Sequence, residues 1–335
     1  MSYSKYYVYK EQTSTDGGAS WQYTGNETPS GESIGTYSTL EECEGSGPTP
    51  PGPSPYENQY FTIVPRGNGN IKLSGASSSF KYTYDSGATW NDATSATSIS
   101  MTNGQKIMFK GTLREGRPVL KWGIGIFSAS TSFDAEGNTM SLLYSDNYAN
   151  KKTLIDESTL DKLFSGSSIV SAENMILPAT ATTPGCYSWM FERCRGLTKA
   201  PALPATVITN NCYKNMFYNC TSLITAPELP ATTLETDVEH EGCCYCGMFM
   251  GCTSLTQSPI LPAKVLSWGC YPEMFKGCTS LSKITCYAET NLDVPSTVHE
   301  WAKNVSQTGT FYKKAGASWP SGDSGIPTGW TVVEV

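Results

Sequence analysis

The nine residues CYKNMFYNC, residues 212–220, return as CYSWMFERC (186–194), CYCGMFMGC (244–252) and CYPEMFKGC (270–278). Each copy opens and closes on cysteine, with tyrosine second and a Met-Phe pair in the middle. In the quoted copy, Cys212, Met216, Cys220 and Leu223 fall at i, i+4, i+8 and i+11, and Tyr213 and Phe217 form a parallel row. That is one apolar stripe at the helical period, so it predicts a short helix or helical turn in each copy. One or two turns cannot bury such a face alone. Copies stacked on one another can, which is how repeat proteins obtain a core.

Aligned on LPAT, the units begin at Leu177, Leu203, Leu229 and Leu261, the last reading LPAK. The first two periods are 26 residues and the third is 32, an insertion of six. After each of the first three Met-Phe segments comes a proline-bearing stretch such as LITAPELPA (223–231), which favours an extended, irregular strand. LFSGSSIVSAENMI (163–176) is a degenerate earlier unit without cysteine, 27 residues ahead of the next Met-Phe position. Terminal repeats are often atypical, because one face has no neighbour. The tail WPSGDSGIPTGWTVVEV (319–335) leaves the pattern and is expected to cap the far end.

Eleven of the 12 cysteines lie within 186–286, inside the repeats. Cysteine packs as a small hydrophobe where coils approach closely. A larger side chain repeated in register would overpack, at about 1–3 kcal/mol per site. A disulfide within a unit is disfavoured, since i and i+8 on a helix lie about 12 Å apart. The expectation is a ladder of buried, reduced, unreactive thiols.

The remaining chain divides as follows. Residues 1–44 read as a small unit with strand-like runs at Lys5–Gln12 and Trp21–Thr24. It closes on STLEEC, where Ser38 and Glu41 have capping-box spacing. GSGPTPPGPSP (45–55) is a stiff proline-rich linker. Residues 56–150 hold short strands between turn signals, the pattern of an all-β, sandwich-like domain. Residues 151–286 are the repeats and 287–335 the cap. The fold class expected is mixed and mainly β, with a short repeat solenoid of α/β coils.

Composition narrows the function classes. A formal charge of −7 and five arginines argue against nucleic acid, whose phosphates need a basic face. No run approaches the ~18 apolar residues of a membrane span. MSYSKYYVYKEQ lacks the apolar stretch of a secretory leader, so cytoplasmic synthesis with reduced thiols is expected.

The units LPATVITNNCYKNMFYNCTSLITAPE and LPAKVLSWGCYPEMFKGCTSLSKI resemble the BspA-like leucine-rich repeats of gut Bacteroidetes and their phages, over residues 163–286. FDAEGNTMSLLYSDN and the terminal GIPTGWTVVEV are also similar to that group. The resemblance implies a binding or adhesion surface rather than an enzyme. With no leader, it implies a phage virion protein, a tail or capsid appendage made in the bacterial cytoplasm. Its first 44 residues would dock on other virion proteins, and its repeats would meet a host surface glycan or protein. Such an appendage is expected to be a homo-oligomer, with a trimer as the working form. The alternative is a bacterial cell-surface adhesin.

STDGGASW (14–21) and TYDSGATW (83–90) fit the Asp-box pattern found in sialidases. That box is a hairpin device: Asp accepts turn N–H groups, Gly takes a positive φ and Trp packs beneath. Glycoside hydrolysis needs paired carboxylates, which no motif here marks. It would also favour clustered arginines, whereas Arg66, Arg114, Arg117, Arg193 and Arg195 are scattered.

The insertion LETDVEHEGCCYC carries Glu235, Asp237, Glu239, His240 and Glu241 as a candidate exposed acidic binding loop. His240, Cys243 and Cys246 are spaced three apart, which matches no common zinc pattern, so no metal or other cofactor is expected. Tyr187, Tyr213, Tyr245 and Tyr271 recur at one position and so form a column, a second candidate binding feature. Two histidines, His240 and His299, leave little scope for acid–base chemistry. No catalytic residue is expected.

Overall fold

Short alternating runs punctuated by Gly, Asn and Ser build the strands of the first half of the chain. In a computed structural model of the protein, the described residues are 54–74, 80–113, 125–234, 243–292 and 296–335. The backbone of two further strands precedes them: β1 (Gln12–Thr13) and β2 (Gln22–Tyr23), paired antiparallel. The first Asp-box motif (14–21), the Ser38–Glu41 cap and the linker up to residue 53 fall outside the described residues, apart from that pairing. The chain forms two units, Met1–Pro55 with Val335, and Tyr56–Glu334.

The second unit opens with β3 (Phe61–Pro65), β4 (Gly69–Leu73), β5 (Phe80–Thr83), β6 (Asn91–Ala93), β7 (Ser98–Met101), β8 (Ile107–Lys110), β9 (Phe127–Ala129) and β10 (Phe133–Asn138). A four-residue helix, α1 (Ser141–Tyr144), follows, and then β11 (Ile169–Ile176). Six strands form one sheet in the order β11-β10-β3-β8-β5-β6, and three form another in the order β7-β4-β9. The two meet at Phe127, whose ring lies 5.3 Å from Phe61 and 5.2 Å from Phe109. Phe164, from the first coil of the repeat region, lies 5.8 Å from Phe127, so one aromatic core runs from sheet to repeats. The expected boundary at 150/151 is therefore no break: β11 extends the sheet of the β region by pairing parallel with β10.

The repeats that follow are coils, and the expected helix is absent from them. From Asn211 to Cys220, alternate amides have different destinations. Cys212, Lys214, Met216, Tyr218 and Cys220 donate back three residues, closing a chain of tight turns. Asn211, Tyr213, Asn215, Phe217 and Asn219 donate to the carbonyls of Cys243, Cys244, Cys246, Met248 and Met250 in the next coil.

Every fourth residue lies in the left-handed region: Asn211 at φ 58°, Asn215 at 53° and Asn219 at 57°. That conformation costs an ordinary residue about 1–2 kcal/mol, and Asn and Gly adopt it most readily. Gly247 and Gly251 fill two of these places in the next unit. A Cβ on Gly247 would meet the Asn215 Oδ1 at 2.1 Å. The apolar rows at i, i+4 and i+8 thus come from a repeat of four residues. A helix would rotate such a row by about 80° over eight residues.

The same rungs join six segments, 158–167, 185–194, 211–220, 243–252, 269–278 and 297–304, each of the first five donating to the one after it. Between coils run short parallel strands, beginning with β12 (Val207–Ile208) and β13 (Thr233–Leu234). β14 (Gln257–Leu261), β15 (Lys283–Cys286), β16 (Thr310–Lys313) and β17 (Thr331–Glu334) then form a four-stranded parallel sheet.

Side chains stack inside. Phe191, Phe217, Phe249 and Phe275 follow one another at 5.3, 5.5 and 5.8 Å, stacked with nearly parallel planes. Trp301, fully buried, closes the column 6.1 Å from Phe275, and its Nε1 donates to the Gly325 carbonyl at 2.8 Å. The segment expected to be cap therefore contributes one more coil, 297–304, before the tail. Within it Thr297 sits in a turn and is fully buried.

Replacing Phe217 by Ala removes the centre of the column. The expected loss is about 3–5 kcal/mol of unfolding free energy, measured by chemical denaturation.

Candidate functional site

Six positions keep one residue type through the four cysteine-bearing units. In the quoted unit they are Cys212, Tyr213, Met216, Phe217, Cys220 and Leu223, and all six are at most 1% exposed. Directly after the leucine, the outward positions change from unit to unit. Thr198, Ile224, Thr256 and Ser282 form one exposed row; Lys199, Thr225, Gln257 and Lys283 form the next. Pairing in the parallel ladder places Ser171 beside Lys199, and Thr225, Gln257 and Lys283 side by side. Ile224, in the first of these rows, is 55% exposed, and Ile260 (51%) and Val265 (59%) are further exposed apolar side chains of the repeats. The result is a fixed interior under a face of varied chemistry.

The candidate binding residues separate on this basis. Tyr187, Tyr213, Tyr245 and Tyr271 do form a column, at ring separations of 5.6, 5.7 and 5.8 Å. Each is 1% exposed, which corrects the reading of that column as a binding feature. The four rings stack on one another inside the coils and offer no face to a sugar or partner. Burial pushes all four phenols well above their ordinary range. Glu235, Asp237, Glu239, His240 and Glu241 lie outside the described residues. His299 is exposed, and its backbone carbonyl takes a coil rung from Glu273.

The second Asp-box motif folds as the hairpin device expected of it. The Asp85 Oδ1 accepts the Thr89 amide at 2.9 Å, and Oδ2 accepts the Thr89 hydroxyl. Gly87 sits at φ 96°, about 3.6 Å from the Trp90 ring by its Cβ direction. Hydrogen bonds from Thr83 and Thr89 hold the Asp85 carboxyl well below the usual carboxylate range. Beside this hairpin the Lys110 ammonium lies 4.1 Å from the Trp90 ring centre and 2.7 Å from Asp146, and the Tyr60 hydroxyl donates to Asp146 at 2.7 Å. An open cleft of about 800 Å³ adjoins the cluster, lined by Thr112, Tyr144, Asp146, Asn147 and Lys151. Its one carboxylate is already held by a lysine and a tyrosine. Arg66 and Arg193 pair separately, with Asp134 at 2.9 Å and Glu192 at 3.5 Å.

The cysteines have a role that spacing alone did not suggest. The thiols of Cys194, Cys220, Cys252 and Cys278 donate to the carbonyls of Phe164, Phe191, Phe217 and Phe249 in the preceding coil, at 3.0–3.1 Å. The side chain thus packs as a small hydrophobe and also supplies a weak donor to the neighbouring backbone. No disulfide joins any of the eleven described cysteines. Burial pushes Cys194, Cys212, Cys278 and Cys286 up to about 12, and Cys220 and Cys252 well above the ordinary value.

With this geometry in hand, comparison with known proteins returns no match: no family model fits the chain, and no curated protein or solved structure is significantly similar to it. The described residues hold no cluster of three or more His, Cys, Asp or Glu placed to grip a metal ion, and no helix long and apolar enough to cross a membrane.

Two predictions follow from the thiols. Unfolded thiols ionise near pH 9.0, whereas the folded ladder keeps its protons to about 12. Above pH 9 the unfolded state therefore binds fewer protons, so stability is whole below that pH and falls as pH rises towards 12. Urea unfolding at about pH 7 and about pH 10.5 should show the midpoint dropping only at the higher value. Cys220→Ser should keep the donor to Phe191, while Cys220→Val loses it at about 1 kcal/mol beyond any change in packing, read from the same unfolding curves.

Proposed function

We propose that this chain is a non-catalytic display protein: a short leucine-rich-repeat solenoid of the BspA-like type, carried on a phage virion as a tail or capsid appendage. Its repeat face would bind a host surface glycan or protein. One observation carries the reading. Across the four units the buried positions keep one residue type while the exposed rows beside them change. A chain built only to fill space has no need of that contrast. A recognition surface does, because specificity comes from outward side chains held by a rigid frame.

The rows Thr198–Ser282 and Lys199–Lys283 mix charge, hydroxyl and apolar groups, as small recognition patches do. The resemblance of the MFxxCTSL segments to BspA-like repeats supplies the biological setting. In that setting the N-terminal unit docks on other virion proteins and the assembly is a homo-oligomer.

Two measurements test this. Antibody to residues 177–286 should label purified phage particles at their surface. Label confined to bacterial envelopes would replace the virion reading with a cell-surface adhesin. On an array of host surface glycans and envelope proteins, the full chain should bind a defined set. The combined variant Lys199→Glu, Ile224→Asp and Lys283→Glu should bind at least about tenfold more weakly with an unchanged melting temperature, a loss of about 1.4 kcal/mol. Equal binding by both proteins would remove the face from the proposal.

A further inference from the structure

In the parallel sheet β14-β15-β16-β17, register sets Lys283 beside Thr310 and Thr285 beside Tyr312. Residues two apart on a strand share a face, so Lys283, Thr285 and Tyr287 stand alongside Thr310, Tyr312 and Lys314. Ile284, Cys286 and Phe311, which alternate with them, are fully buried. The row of lysines, threonines and tyrosines is therefore the outward face.

Across that face the two strands exchange lysine and tyrosine. The Lys283 ammonium lies 5.2 Å from the centre of the Tyr312 ring, and the Lys314 ammonium 5.0 Å from the centre of the Tyr287 ring. Other lysines of the repeats pair with carboxylates: Lys199 with Glu173, Lys264 with Glu289 and Lys313 with Glu334. Among the described residues Lys283 and Lys314 form no ion pair, and the tyrosine rings are their partners. A neutral ring holds an ammonium in place without cancelling its charge. Two uncompensated cations thus share one face of a chain whose formal charge is −7.

We infer that this face binds an acidic glycan, a chain of uronic acid units whose carboxylates meet Lys283 and Lys314. The inference rests on the reading of the repeats as a binding surface and gives that surface its ligand class. Charge complementarity calls for an anion at each lysine. Lys314 stands four residues beyond Thr310, the partner of Lys283, which is about 13 Å along the sheet. One acidic sugar cannot reach both cations, so the two carboxylates belong to different sugars of one chain.

The uncharged groups fit a sugar as well. Tyr287 and Tyr312 are half-buried and present part of each ring to sugar C–H groups, while the Thr285 and Thr310 hydroxyls can bond sugar hydroxyls. A uronate keeps the ring hydroxyls that a sulfate ester would occupy, which favours carboxylate over sulfate. An acidic peptide fits less well. β15 and β16 are interior strands with both edges paired, and they offer no edge for a peptide strand to join.

The test is calorimetric titration of the full chain with hexagalacturonate at low salt. The hexamer should bind, and its fully methyl-esterified form and the galacturonic acid monomer should each bind at least about tenfold more weakly. Lys283→Gln with Lys314→Gln should cost the same factor at an unchanged melting temperature. Tyr287→Ala with Tyr312→Ala, which keeps both charges, should also weaken the hexamer. Lys264→Gln, at a lysine already paired, should hold the affinity within about twofold. The inference is overturned if the hexamer does not bind, or if either double variant keeps full affinity. It is equally overturned if the esterified form, a polyglutamate peptide or a sulfated hexasaccharide binds as tightly as the uronate. Capture of only a neutral glycan or a protein by the repeat face would leave the binding-surface reading standing while this inference falls.

Discussion

Every second amide in each coil points along the stack and finds a carbonyl in the next coil. This one arrangement sets the rest. Because half the donors leave the segment, the coil cannot be a helix. It becomes a chain of tight turns with a left-handed residue at every fourth place, held near φ 55° in the central unit. Rungs in register also force equivalent side chains to lie above one another. Identical residues are then the simplest solution inside: Phe on Phe, Tyr on Tyr, with nearly parallel rings. The regular interior follows from the backbone pairing.

Much of this was legible in the sequence. The period of the LPAT units gave the stack, and the cysteine-free segment 163–176 gave its degenerate first member. The Asp85 hairpin could be read residue by residue, since each of its parts has one local job. The error lay in the period. Over nine residues a spacing of four and a helical spacing mark the same positions, and apolarity alone does not separate them. The separating signal was in the polar residues: Asn211, Asn215, Asn219, Gly247 and Gly251 recur every four, and Asn and Gly tolerate the left-handed region. Units with Trp189, Arg193 and Glu273 in those places hide the rule, because stacking holds them there against their preference.

Other features were out of reach for clear reasons. The tyrosines suggested a surface because a recurring aromatic with a hydroxyl so often marks one; only the rung pattern shows that their row faces inward. The thiol donors needed three dimensions as well, since each accepting carbonyl lies 29 to 35 residues earlier in the chain. Spacing within one unit cannot show a partner in another. The extra coil at 297–304 was hidden because Thr297, Val298 and Trp301 share no letter with the motif, yet they occupy the same interior places.

The rungs between coils also have a mechanical meaning. Between 211–220 and 243–252 five backbone bonds lie side by side, and the junctions follow one another along the stack. A pull along that direction is shared among the bonds of a junction, while every junction feels the whole force. Rupture therefore proceeds one junction at a time, each releasing a length of about one unit of chain. A tether built this way lengthens in steps and dissipates a sudden tug, where a single rigid element would snap.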